Sequence, residues 1–388
     1  MNLSKSIPCT LLVMLIYPVI IWGQINERVI VTGVPFVLIT SDARAAGMGD
    51  VGVSTTPDAY SQQWNPAKYP FSEVEKGIGI SYTPYLSKLV NDIFLGNLTY
   101  YKKIGERGAW GTSLKYFSLG DIQFNEVISG TIVSQGVERP NELTLDLSYS
   151  LKLSEQFAMS VAGRYIRSDL KLSSDGDAAS ANTLGVDIAG FYQSKTRKVG
   201  KNDMRFRSGF NLSNIGPRLV YDIGGQKNFL PTNLKVGSSA DWIFDSDSSM
   251  SLNLEFNKLL VPSPVATIND QGTSVYAQPD VNFLRGIFES FNDAEDGFSE
   301  ELKEITWAAG LEYKFQNVLA LRTGYFNESK EKGARRYITF GAGLLINQMQ
   351  VDISYLFSTS SVRSPLENTL RFSLSFDLAN GIELPEEE

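Results

Sequence analysis

The sequence predicts an all-β membrane protein: an outer-membrane barrel of about 14 antiparallel strands with an N-terminal segment folded into its lumen as a hatch. Three observations carry this. Beyond the first two dozen residues, no apolar run approaches the roughly 18 residues from which a spanning helix is read. Apolar and polar residues instead alternate one for one over many short stretches. The connections between those stretches are alternately short and long, so the two ends of the molecule differ, as they do in outer-membrane barrels.

Composition narrows the chemistry. The chain has 388 residues, of which 43% are hydrophobic and 20% charged, too apolar a balance for disorder. It contains no histidine, which removes the usual general base of hydrolases and the commonest ligand of zinc, iron and copper. Its one cysteine, Cys9, falls in the leader, so the rest of the chain has no disulfide and no thiolate nucleophile. No cofactor, metal or catalytic site is predicted, and enzymatic function is not expected. A net charge of −8 and a pI near 5.0 argue against nucleic acid as a partner.

Residues 1–23 read as a signal peptide: Lys5 supplies the positive start, Leu11 to Trp22 the apolar run, and Gly23 a small residue before cleavage near Gln24. Pro8 and Pro18 bracket an uninterrupted apolar stretch of only about 10 residues, too short for an anchor. Cys9 lies at the wrong end of that stretch to carry a lipid. Residues 24–75 do not alternate. Small residues and turn formers dominate here, around Asp42, Arg44, Gly47, Gly49, Asp50, Asp58, Trp64, Asn65 and Pro66, and such a composition suits a compact hatch. Gly47-Met48-Gly49 is not a phosphate loop, since no strand precedes it and no Walker lysine follows.

Residues 76–378 carry the barrel. Leu143, Leu145, Leu147, Tyr149, Leu151 and Leu153 alternate with Thr144, Asp146, Ser148, Ser150 and Lys152, and the same period recurs over Met250–Phe256, Ile305–Phe315 and Leu370–Leu378. Strands are expected near 76–83, 92–102, 109–117, 141–153, 156–167, 182–194, 204–214, 232–244, 249–258, 304–315, 318–327, 336–346, 349–358 and 367–378. A soluble β-sandwich would alternate too. The regular exchange of tight turns such as Gln316-Asn317 with loops such as 118–140 and 259–303 favours the barrel. Tyr149, Tyr192, Trp242 and Tyr313 suit an interfacial girdle. Lys115, Asp146, Arg164, Asp187, Arg207 and Glu312 fall on the opposite rows, where mixed signs predict paired or solvated lumenal charges. In the 259–303 loop, Phe283, Leu284, Ile287, Phe288 and Phe291 cluster as a candidate partner-binding surface; the alternative is that they fold back over the lumen. Asp293, Glu295, Asp296 and Glu300 lack calcium-loop spacing and read as a solvated helix face. An even strand number leaves 379–388 as a short acidic periplasmic tail.

The run from Ser41 to Tyr69, SDARAAGMGDVGVSTTPDAYSQQWNPAKY, resembles the hatch of the FadL-like fatty-acid and hydrocarbon transporters, and within them the PorV (LptO) branch of the Bacteroidetes type IX secretion system. The resemblance implies a FadL-like barrel that acts as a secretion component. It implies binding of secreted cargo, through a C-terminal signal domain, as cargo emerges from a SprA/Sov-type translocon, and delivery to a PorU-type sortase for attachment. Its other partners would be the lipids of the outer membrane. The alternative, from the transporter relatives, is uptake of a hydrophobic small molecule. A lipid A deacylase role, suggested by the second branch name, conflicts with a chain that has no histidine to activate a nucleophile.

Overall fold

The computed structural model describes residues 29–378, apart from 88–89, 129–130, 171–179, 222–226, 269–273, 295–296, 361–366 and 368. The expected leader, the acidic tail, and Glu295 and Asp296 lie outside the described residues. Fourteen strands make the wall: β1 (Lys76–Pro84), β2 (Ile93–Ile104), β3 (Gly108–Leu119), β4 (Asn141–Lys152), β5 (Phe157–Asp169), β6 (Ala181–Gln193) and β7 (Asn202–Ile215). They continue with β8 (Asn233–Ile243), β9 (Ser249–Leu259), β10 (Thr306–Phe315), β11 (Leu319–Asn327), β12 (Arg336–Ile346), β13 (Met349–Ser358) and β14 (Leu370–Asp377). Each pairs antiparallel with the next, and β14 closes on β1 with Gly77 opposite Asp377 and Tyr82 opposite Phe372. Closure leaves the barrel no free edge, so its backbone polar groups are satisfied without water, as a membrane requires. No described helix is long and apolar enough to cross a membrane.

The alternation becomes an inside-out surface. Leu145 is 51% exposed and Leu147 62%, whereas Asp146 between them is 3% exposed. Apolar residues therefore face lipid and polar ones the lumen, the reverse of a soluble sandwich. One end is closed by brief turns. At one of them Gln316 and Asn317 both take left-handed backbone angles, φ 52° and 51°, the geometry that lets two residues join twisted strands. The other end carries the longer connections. Between β3 and β4 the chain forms a hairpin, Ile122–Ile128 against Thr131–Glu138, where only a loop is read from the sequence. Between β9 and β10 it forms a second hairpin and two helices, α3 (Phe283–Glu289) and α4 (Phe298–Lys303). Because α4 runs to Lys303, β10 starts at Thr306 rather than 304.

The N-terminal segment traverses the lumen from end to end. Gly33 donates its N–H to Phe229 O in the β7–β8 connection, on the long-loop side (2.9 Å), and the Ser72 hydroxyl meets Tyr101 at the opposite end (2.8 Å). Two short α-helices, α1 (Ala43–Ala46) and α2 (Ser61–Trp64), and a 3-10 turn over Pro66–Phe71 lie between these points.

Candidate functional site

The site is the joint between hatch and wall, and it begins with local capping. Asp42 stops the extended chain and caps α1: one carboxylate oxygen accepts from Ala45 N (2.8 Å) and the other from Trp64 Nε1 (2.7 Å). Asn65 caps the 3-10 turn, accepting from Ala67 N at 3.1 Å, and Pro66 follows at the first position, where an N–H would go unused. The Asn65 amide then donates to Val53 O (3.0 Å) and to Gly190 O on β6 (2.9 Å), tying the turn to hatch and wall together.

Buried charges fix the hatch in register with the barrel. Arg44 forms a fork on Glu312 of β10, with Nε–Oε2 at 3.0 Å and Nη2–Oε1 at 2.9 Å, and its Nη1 reaches Asp58 at 2.6 Å. Glu312 is shared with Arg322 of β11 (2.7 Å), which in turn holds Asp352 of β13 (2.7 Å). Asp50 accepts from the Tyr337 hydroxyl and lies 3.3 Å from Arg371 of β14. Elsewhere wall charges grip hatch backbone: Glu255 accepts from Gly52 N and Val53 N (2.8 and 2.9 Å), Arg207 donates to Ser54 O (3.0 Å), and Lys115 donates to Val37 O (3.2 Å). Forked, charge-assisted bonds of this kind hold geometry. Buried ion pairs add little net stability over apolar packing but penalise the loss of one partner heavily.

The electrostatics of the hatch follow from burial and neighbours. Burial and the nearby Asp58 push the Asp42 carboxyl up to about 6. At Asp58, burial acts in the same direction, but Lys68 and Arg44 outweigh it and hold the group below the usual carboxylate range. Burial draws Lys68 down to about 8 against the pull of Asp58; its Nζ donates to Gly52 O at 2.8 Å.

Close packing completes the seal. The hatch backbone at Met48 presses on two wall glycines: a Cβ at Gly310 would lie 2.5 Å from Met48 O, and one at Gly324 would lie 2.0 Å from Met48 C. Only glycine fits there. Gly49 continues the hatch with φ 76°, where a side chain would be strained. Beside Trp64 remains a cavity of about 20 Å³, lined by Gln63, Arg164, Asn214 and Lys235 among others, with room for water but not for a larger guest.

Of the hatch residues singled out in the sequence, Asp42 pairs with Trp64, Arg44 joins Asp58 to Glu312 of the wall, Asn65 ties Val53 to Gly190, and Asp50 anchors separately to Tyr337 and Arg371. Gly47 sits against Gly341, whose Cβ would meet the Gly47 Cα at 3.0 Å. The seats at Gly310 and Gly324 are not legible in the sequence, because an inward glycine in a strand looks like any other small residue until something packs on it. In the outer loop the predicted cluster divides. Leu284, Phe288 and Phe291 are exposed, Phe288 at 76%, and Phe283 is half-buried. Ile287 is 9% exposed and turned inward, and Gly286 beside it lies against Phe229 and Pro262, so this side of α3 holds the loop to the mouth. On α4, Phe298 (77%) and Leu302 (52%) are exposed as well, and their four-residue spacing is a helical signal present in the sequence. The acidic residues do not make the solvated helix face read from the sequence: Glu300 is 6% exposed and accepts from Lys332 of the β11–β12 connection at 2.8 Å, while Glu301 and Glu304 hold Lys258 of β9 at 2.8 and 2.6 Å.

The family model described as "Type IX secretion system protein PorV" matches residues 23–266, more than half of the chain. No curated protein sequence matches. Among solved structures, the TodX deltaS2S3 mutant monoaromatic hydrocarbon channel is similar with a TM-score of 0.52 at 13% identity, over 87% of this chain and 99% of that one. The Pseudomonas putida toluene transporter TodX has a TM-score of 0.48 at 15% identity, over 86% of this chain and 96% of that one. At such identity the first likeness establishes a shared fold, that of the FadL-like outer-membrane barrels, and no activity.

Proposed function

The chain belongs to the PorV family of type IX secretion system proteins and is an outer-membrane component of that machinery, and from this membership we infer that it binds secreted cargo at its outer surface and passes it on. In this reading cargo arrives by its C-terminal signal domain from a SprA/Sov-type translocon and leaves for a PorU-type sortase. The barrel takes part by presenting a surface, without chemistry of its own. The observation that carries the reading is the contrast between a packed lumen and a greasy outer loop: charged side chains of β3, β7, β9, β10 and β14 hold the hatch, while Leu284, Phe288, Phe291, Phe298 and Leu302 are exposed. Exposed apolar surface of this kind marks a partner site. Uptake of hydrophobic molecules through the lumen is supported less well, because it would require the Arg44–Glu312 fork and the Met48 seat to open.

The test is co-purification from native membranes. Replacing Leu284, Phe288 and Phe298 by Ser leaves the inward side of α3 intact, so the barrel is expected to fold. Anchors of this size commonly contribute about 2 kcal/mol or more each, so the triple variant should lose translocon or cargo in the eluate. Undiminished recovery of both would defeat the assignment of this loop.

A further inference from the structure

A second surface lies at the opposite end of the barrel. Between β6 and β7 the chain reads Ser194-Lys195-Thr196-Arg197-Lys198-Val199-Gly200-Lys201-Asn202, four cations without an acid, in a protein whose net charge is −8. Arg197–Val199 pairs with Asn202–Met204, and Gly200 turns the chain with φ 66°, so the wall is prolonged by a small hairpin on the short-turn, periplasmic side. Every residue from Lys195 to Lys201 is exposed. No ion pair among the described residues involves Lys195, Arg197, Lys198 or Lys201, though Asp203 stands opposite Lys198 in the pairing.

The register fixes the height of these cations. Arg197 is opposite Met204, and Met204 is opposite Trp242 of β8. Two residues further along β7, on the same outward face, Phe206 is 48% exposed toward lipid. Arg197 is therefore level with the aromatic residues that mark the boundary between hydrocarbon and water. Lys195 adjoins Ser194, whose N–H donates to Phe206 O (2.9 Å). Long cationic side chains at that level reach the phosphate layer with their stems along apolar surface. Val199, on the same face as Arg197, adds apolar contact for the acyl boundary.

We propose that the hairpin 194–204 is a binding site for anionic phospholipid headgroups of the periplasmic leaflet, with Lys195 and Arg197 taking the phosphate oxygens and Lys198 and Lys201 strengthening the field. Charge complementarity selects anionic over zwitterionic lipid, and the position beside Trp242 and Phe206 selects a membrane ligand over a soluble one. The site rests on the outer-membrane placement of the barrel and is independent of what the outer loops bind.

The experiment uses the full-length barrel in neutral detergent, titrated with phosphatidylglycerol or phosphatidylcholine and read by native mass spectrometry. Phosphatidylglycerol should be retained in preference, and raised salt should weaken it. In the quadruple variant Lys195→Gln, Arg197→Gln, Lys198→Gln, Lys201→Gln its affinity should fall about tenfold or more. A variant with the three lysines changed to Arg should keep it, and Arg139→Gln with Arg285→Gln, exposed cations of the outer loops, should not affect it. Heat-modifiable gel mobility verifies that each variant is folded. Unchanged phosphatidylglycerol binding in the quadruple variant, equal loss of phosphatidylcholine, or complete displacement by inorganic phosphate would each overturn the proposal. So would a quadruple variant that keeps lipid but loses an acidic periplasmic protein.

Discussion

Arg44 shows how one residue can hold the hatch. Its guanidinium is shared between Glu312 of the wall and Asp58 of the hatch, so it specifies where α1 sits relative to β10. Removing it takes the shared cation from the buried Glu312 and the half-buried Asp58, leaving Arg322 and Lys314 to offset the first and Lys68 the second. Arg44→Met should therefore cost about 3–5 kcal/mol, measured as a lower urea midpoint for the folded barrel in lipid, or as protease sensitivity confined to the hatch. A midpoint within error of the parent would remove Arg44 from this role. Gly324 makes a steric counterpart. Since a Cβ there would lie 2.0 Å from Met48 C, Gly324→Val should expel the Met48 segment, and a limited digest should cut between Ala45 and Val53 in the variant and not in the parent.

Among the elements, the strands obey a rule set by their two environments. Leu254 faces lipid on β9 while Asn253 and Glu255 face the hatch. Leu254→Arg near the midplane should impair assembly by about 2–4 kcal/mol, whereas Leu254→Phe should be tolerated; equal folding yields in lipid would refute the assigned face. The lumenal row is less forgiving than wet lumen positions would be, because Asp146 is bound to Arg164 and Asn253 accepts a hydrogen bond from the Ser239 hydroxyl (2.6 Å). The outer helices follow another rule: α3 buries Ile287 and Gly286 but leaves Phe288 in water, which gives it one face for the barrel and one for a partner.

At the scale of the whole molecule, a closed wall surrounds a hatch that runs through the lumen and packs against it. Deleting residues 41–68 should leave an assembled barrel, since the strand pairing closes without them. It should also open a conductance in planar bilayers, because the exposed wall charges would be hydrated by the vacated lumen. Recordings that stay as silent as those of the intact protein would show that the hatch is not the seal. Loss of the lipid-selective hairpin, in contrast, should change neither conductance nor partner recovery.

Strand number, faces and the two unlike ends were all legible in the sequence, because a strand between lipid and polar lumen must alternate with period two and because loop lengths are written directly in the spacing. Leu143–Leu151 and Leu370–Phe376 illustrate this: each could be assigned from its own residues alone. The N-terminal segment stood out in the sequence because residues 24–75 do not alternate. Tertiary structure decided what no local pattern contains. That Arg44 meets Glu312, 268 positions away, that Met48 rests on Gly310 and Gly324, and that Ile287 turns inward while Phe288 does not all depend on residues brought together only when the barrel closes. A residue's period records which medium it faces, but its partner is set by the geometry of closure.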